Sequence, residues 1–168
     1  MHCLEHSKND SDIFHRMQGQ SDIKPTFMMV GCQRCGTTWT DAALRNHPEI
    51  YLPNQKQSYF FDRNYDEGIE WYLGRFQDAK EGELVGEIAT GYCLIDAVPL
   101  MHKHFPEIKL MMVMRNPIDR AYSNYQARKV EQGWTSFADA LEREPDLLTR
   151  GEYINQIECL LRHYDSEQ

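Results

Sequence analysis

At 168 residues, with 41% hydrophobic and 26% charged residues, the chain is long enough for one domain with a real core and short for two. A formal net charge of −8 excludes a nucleic-acid-coating role, which needs a basic face, although a local basic pocket is compatible with an acidic whole. The composition is that of an ordinary soluble globular protein, and no run reaches the roughly 18 consecutive apolar residues of a membrane span.

Residues 1–24 are polar and rich in His, Asp and Ser, with no apolar h-region. They read as a poorly ordered leader rather than a secretory signal, ahead of a single domain over residues 25–168. The five cysteines (Cys3, Cys32, Cys35, Cys93, Cys159) are odd in number and scattered, which fits a reducing, cytoplasmic setting. Cys32 and Cys35 have C-x-x-C spacing, but the Gly-Thr-Thr that follows fits a phosphate loop better than a redox motif.

The most informative stretch is FMMVGCQRCGTTWT, residues 27–40. An apolar strand from Phe27 meets Gly31, and Gly36 then opens a helix-like segment. A strand feeding a Gly-bounded turn and a helix N-terminus aims successive backbone N–H groups and the helix dipole at one anion. The Gly31–Gly36 spacing matches the phosphate loop of nucleotide-binding proteins. Where a nucleoside triphosphatase carries Lys after the second Gly, this chain has Thr37, and its cation, Arg34, lies inside the loop.

Asn46-His47-Pro48 ends the first helix. A short extended segment over 50–52 follows, then a mixed aromatic and polar stretch, Gln57 to Asp62, expected to be extended with one side buried. Ile69, Tyr72, Leu73 and Phe76 mark one face of a helix over 66–76. Residues 83–89 predict a core strand, and 95–105 a helix with Pro99 near its start. The strongest strand is Lys109 to Met114, an unbroken apolar run of the kind covered on both faces in a parallel sheet. Helices over 117–130, 136–141 and 153–164 complete the pattern, the last with Ile154, Ile157, Leu160 and Leu161 as its buried stripe. Strands alternating with helices predict an α/β, P-loop-containing three-layer fold with a central parallel sheet flanked by helices.

In such sheets ligands bind beyond the carboxyl ends of the strands. The strongest strand ends in Arg115-Asn116-Pro117, where a triphosphatase would place an acid to organise Mg²⁺. Arg115 suits a second phosphate instead, and Ser123, about two helical turns on, is close enough to share it. Taken alone, Arg115 and Arg120 could equally be surface partners of Asp119.

Together the loop VGCQRCGTTWT, the block KQSYFFDRNYDEGIEWY, the segment FPEIKLMMVMRNPIDRAYSNYQ and the late GEYINQIECLLRHY resemble the sulfotransferases that use 3′-phosphoadenosine 5′-phosphosulfate. The likeness is closest to the carbohydrate (heparan-sulfate type) and bacterial branch, and covers residues 26–165 in order. The resemblance implies a 5′-phosphosulfate loop of Gln33, Arg34, Cys35, Gly36, Thr37, Thr38 and Trp39, and a 3′-phosphate site of Arg115 and Ser123. Arg34 would take the place of the loop lysine at the bridging oxygen. It implies a hydroxyl or amine acceptor, a small molecule or carbohydrate, and no metal. It also implies further core strand and loop beyond Tyr164, so the chain is expected to be C-terminally short of the family pattern.

One position departs from the family in kind. Similar proteins carry Glu three residues before the paired Phe, as the base that accepts the acceptor's proton. Here that residue is Gln57, which can orient an acceptor but cannot take a proton at neutral pH. Lys56, Asp62 and Glu87 are the substitute candidates, and Phe60 and Phe61 are expected in the core. A non-catalytic nucleotide-binding or interaction module is the competing reading.

Overall fold

β1 (Phe27–Gly31) forms the middle of a four-stranded parallel sheet with β2 (Ile50–Tyr51), β3 (Leu84–Ile88) and β4 (Lys109–Met112), in the order β2-β3-β1-β4. The computed structural model describes residues 23–94 and 96–167, so all but the end of the polar leader expected over 1–24 lies outside the described residues. Helices α1 (Thr37–Arg45), α2 (Ile69–Leu73), α3 (Ala97–His104), α4 (Pro117–Arg128), α5 (Phe137–Arg143), α6 (Asp146–Thr149) and α7 (Tyr153–Leu161) follow in chain order.

The sequence of β1 explains its place. Met28, Met29 and Val30 are all fully buried, because a central parallel strand is covered on both faces and needs no polar alternation. Met28 and Val30 enter the larger core, with Phe60, Tyr72 of α2, Val98 and Met101 of α3, and Cys159 and Leu160 of α7. Met29 enters a smaller cluster with Leu52 and Ile88, backed by Leu44 of α1. Helices on both faces of a parallel sheet give the expected three layers. Gly86 of β3 pairs with Phe27. A Cβ there would stand 2.3 Å from the Phe27 ring, so only glycine lets that ring lie across the sheet.

Four expectations need correction. β4, the most apolar run, is an edge strand with one face open: Leu110 and Met112 pack inward, while Met111 is 38% exposed. The helix layer on the Met29 side stops short of it, so an apolar run did not imply cover on both faces. The helix expected over 66–76 is three pieces, 3₁₀ turns Tyr65–Glu67 and Gly74–Phe76 around α2, the first set off by Gly68 at φ +84°. Its stripe still packs, with Tyr72 and Phe76 fully buried. The segment from Gln57 to Asp62 is turn and irregular backbone rather than an extended stretch, although Phe60 and Phe61 are buried as expected.

The last correction concerns α7. Of the expected stripe Leu160 is buried and Ile157 half-buried, but Ile154 and Leu161 are 61% and 55% exposed, and Gln156 and Cys159 complete the buried face. Polar contacts turn the helix that way. Gln156 Oε1 accepts from Cys32 Sγ at 3.7 Å, its Nε2 donates to Arg150 O at 3.2 Å, and Tyr153 donates its hydroxyl to Arg115 O at 2.9 Å. The helix therefore braces the two strand ends that form the site.

Candidate active site

The turn after β1 is built to receive an anion. Gly31 has no room for a side chain, since a Cβ would lie 2.6 Å from Cys93 Sγ. Arg34 and Gly36 take left-handed backbone, φ +69° and +90°, which curls the loop around the start of α1. Gly36 is the N-cap of α1, gives it no side-chain cap, and no acid sits in the first turn. Its leading N–H groups are thus left for a ligand, at the positive end of the helix dipole.

α4 provides the contrast. There Asn116 caps the helix, accepting from Ile118 N at 3.0 Å and Asp119 N at 3.4 Å, with Pro117 in the first turn. The Arg-Asn-Pro turn therefore closes one helix end and delivers Arg115, and α1 remains the open one.

These elements meet around one cavity of about 390 Å³. Gln33, Arg34, Gly36, Thr37 and Thr38 line it from the loop, and Arg115 and Ser123 from the end of β4 and from α4. Lys56, Gln57 and Thr90 form the remaining wall. Arg34 Nε donates to Ser123 Oγ at 3.3 Å, so the loop cation and the α4 hydroxyl expected at the two ends of one nucleotide are in contact. Two members of the loop turn their side chains elsewhere. Cys35 is buried beneath it, its Sγ 3.6 Å from the Tyr153 hydroxyl, and Trp39 is 77% exposed outside the cavity.

Lys56 holds a place that the loop sequence did not reveal. Its Nζ donates to Thr37 Oγ1 and Thr38 Oγ1, both at 3.3 Å, so a lysine arrives at the phosphate loop from a distant segment. The signal available was indirect: a loop lacking its lysine leaves room for a cation from elsewhere. Burial pushes the Lys56 ammonium below its ordinary range, Asp41 opposes this, and Arg45 adds to it.

Gln57 Oε1 accepts from both Thr90 N and Thr90 Oγ1 at 3.1 Å. With its oxygen tied to the end of β3, its amide N–H groups are left for the cavity.

Two of the substitute bases fall outside the cavity. Glu87 is fully buried and accepts from Ser58 N at 2.6 Å, Tyr72 Oη at 2.9 Å and Tyr92 Oη at 3.2 Å. Desolvation pushes its carboxyl up, against those hydrogen bonds. Glu87 is a brace for the segment that carries Lys56 and Gln57, not a base facing an acceptor. Asp62 packs against Gly91, where a Cβ would stand 2.5 Å from its Oδ2, and its Oδ1 is buried without a hydrogen-bond partner. Burial raises its carboxyl too, with Arg63 opposing.

Arg120 is not the surface partner of Asp119 that an exposed charge cluster would give. It is fully buried, donates from Nη2 to Leu147 O, and leaves Nε and Nη1 without partners among the described residues. Likewise among the described residues, no group of three or more His, Cys, Asp or Glu side chains is placed to hold a metal ion, and no helix is long and apolar enough to cross a membrane.

The model of the sulfotransferase domain matches residues 24–168, which takes in both strand ends and the Lys56–Gln57 wall. The chain belongs to the sulfotransferase domain family. It is 28% identical over 123 residues to the membrane-associated sulfotransferase kil1 of Dictyostelium discoideum, covering 71% of this chain and 26% of that protein. It is 34% identical over 102 residues to mouse heparan sulfate glucosamine 3-O-sulfotransferase 6, covering 60% of this chain and 30% of that one. The chain thus spans less than a third of the length of these curated relatives. A crystal structure of a sulfotransferase from Alicyclobacillus acidocaldarius superposes with a TM-score of 0.76 at 27% identity, over 87% of this chain and 71% of that one.

Proposed function

We propose that the chain transfers a sulfuryl group from 3′-phosphoadenosine 5′-phosphosulfate to a hydroxyl or amine acceptor, carbohydrate or small molecule. The observation that carries this reading is the contact between Arg34 and Ser123 across a cavity that also holds Arg115 and the uncapped start of α1. These residues fit a ligand with anions at both ends. The α1 amides and the Thr37 and Thr38 hydroxyls would take the 5′ phosphosulfate, and Arg115 with Ser123 the 3′-phosphate.

The donor supplies the activated sulfuryl group, and the protein's part is positioning and charge. Arg34 is a fixed guanidinium where negative charge builds on the leaving oxygen. Gln57 orients the acceptor through its amide N–H groups. The buried thiols Cys32, Cys35 and Cys93, none of them in a disulfide among the described residues, support a reducing, cytoplasmic location.

The test is calorimetric titration with adenosine 3′,5′-bisphosphate, with adenosine 5′-monophosphate and Mg²⁺–ATP as comparators. The bisphosphate is expected to bind tightest, and the monophosphate more weakly for want of its 3′ group. Tighter binding of Mg²⁺–ATP would overturn the assignment.

A further inference from the structure

We propose that the acceptor of this site is a hydroxyl compound acidic enough to lose its proton to water, a phenol above all, and that Lys56 is the catalytic residue that meets its oxyanion. This rests on the sulfotransferase reading and narrows its acceptor class.

The acceptor wall presents donors. Gln57 has its only acceptor atom tied to Thr90, so its N–H groups remain for a ligand. Lys56 Nζ donates to the Thr37 and Thr38 hydroxyls, at the loop where the transferred group would sit, and lines the same cavity as that amide. Arg34 and Arg115 bring two more cations to the same cavity. The nearby carboxylates are withdrawn: Glu87 is enclosed by its three donors, and Asp62 has one oxygen sealed and the other against Gly91.

Such a lining does not remove a proton from an acceptor, but it stabilises an acceptor that has already lost one. An aliphatic alcohol gains little from it, because it does not ionise in water near neutral pH. A phenol ionises near about 10, as tyrosine does, and a cation within hydrogen-bond reach lowers that by about 1–3 units. The ionised fraction then becomes substantial at working pH.

Lys56 acts here as a cation rather than as the base. Its ammonium is lowered by burial and by Arg45, with Asp41 opposing, and Arg34 and Arg115 line the same cavity. A phosphosulfate on the neighbouring loop would oppose these, because an opposite charge at that range favours the protonated form. In the step itself the acceptor's proton has already gone to water. An electron pair of the acceptor oxyanion forms the new S–O bond, the bond between sulfur and the bridging oxygen breaks, and its pair leaves on the bisphosphate.

The first measurement needs no turnover. 4-Nitrophenol is titrated with pH alongside the full chain and adenosine 3′,5′-bisphosphate, reading the visible absorbance of the nitrophenolate. Its apparent pKa is expected to fall by about one unit, and Lys56→Met is expected to abolish the fall. An unchanged pKa in the presence of bound bisphosphate overturns the proposal.

The second measurement compares initial rates on phenols of graded acidity with cyclohexanol and glucosamine. Phenols are expected to lead by at least about 10²-fold, the help a general base would otherwise have given the alcohols. Gln57→Glu is expected to raise the alcohol rate and lower the phenol rate, a crossing that loss of folding cannot produce. Comparable rates on alcohols and phenols, or bisphosphate binding with no phenol turned over, overturn the acceptor class while leaving the donor site intact. Failure of the bisphosphate to bind overturns both.

Discussion

On one wall of the cavity, the turn from Gly31 to Thr38 and the pair Arg115 and Ser123 present backbone amides, a helix end and two guanidinium groups. On the other stand Lys56, Gln57 and Thr90, with Gln57 held by two hydrogen bonds from Thr90 and its segment by the buried Glu87 behind Ser58. The first wall follows from the shape of a strand–turn–helix and tolerates many side chains between its glycines. The second depends on which side chain stands at each position, and one exchange of carboxylate for amide changes what the wall can do. On the proposed function, donor recognition would rest mainly on backbone and fixed cations, and acceptor choice on individual side chains.

The largest effect expected on the donor wall is that of Arg34→Ala. If this cation acts where charge develops, as proposed, turnover is expected to fall about 10²–10³-fold, with a much smaller change in bisphosphate affinity. Arg115→Ala is expected to do the reverse. Loss of a charge-assisted hydrogen bond of about 1.5–3 kcal/mol weakens the bisphosphate roughly 10–100-fold, with little further effect on the rate at saturation. Calorimetry and saturation kinetics on both variants separate the two. Equal loss of binding in both, with no separate rate effect, would show that the donor wall does not divide its labour between these cations.

A smaller effect probes the support behind the acceptor wall. Glu87→Gln keeps the shape of the buried side chain but replaces an acceptor of three hydrogen bonds, and about 1–3 kcal/mol of stability is expected to go with it. The pH dependence carries a sign. Burial holds the folded-state carboxyl above its ordinary range, so between the ordinary and the raised value the folded chain binds more protons than the unfolded one. The stability contributed by Glu87 is therefore full below the ordinary carboxylate range and declines as pH rises through the raised value. The amide has no such dependence. Urea denaturation across pH is expected to show the variant's deficit narrowing as pH rises, and a deficit that widens would mean that Glu87 is held as a favoured carboxylate.

How much of this was legible in sequence follows the same division. The Gly31–Gly36 turn, Arg34, Arg115 and Ser123 were readable because strand, glycine spacing and helix start are local signals. The sheet was readable from its apolar runs, but not the order of its strands. β4 is the most apolar run and yet lies at the edge, because cover depends on helices that reach it from elsewhere. Half of the α7 stripe, Ile154 and Leu161, was misread for a related reason: Gln156 and Tyr153 are turned to bond Cys32 and Arg115, and a hydrophobic periodicity gives no weight to such contacts. The place of Lys56 on the loop hydroxyls, and the withdrawal of Glu87 and Asp62 from the cavity, depend on tertiary contacts that no spacing encodes.

The smallest effect is expected at Trp39, and it tests whether the donor wall is indifferent to side chains. Trp39 is the third residue of α1, so its N–H belongs to the leading amides of an uncapped helix. Its ring is 77% exposed and lies outside the cavity lining. Alanine keeps the amide and has a better helix propensity than tryptophan. Trp39→Ala is therefore expected to change stability by no more than about 0.5 kcal/mol, the usual range for a surface position away from special contacts. Bisphosphate affinity is expected to stay within about twofold, well under the tenfold that corresponds to about 1.4 kcal/mol. Urea denaturation and calorimetry read both quantities on one preparation. A tenfold loss of affinity with stability unchanged would place the indole on the nucleotide itself, so that the donor wall, like the acceptor wall, depends on a particular side chain.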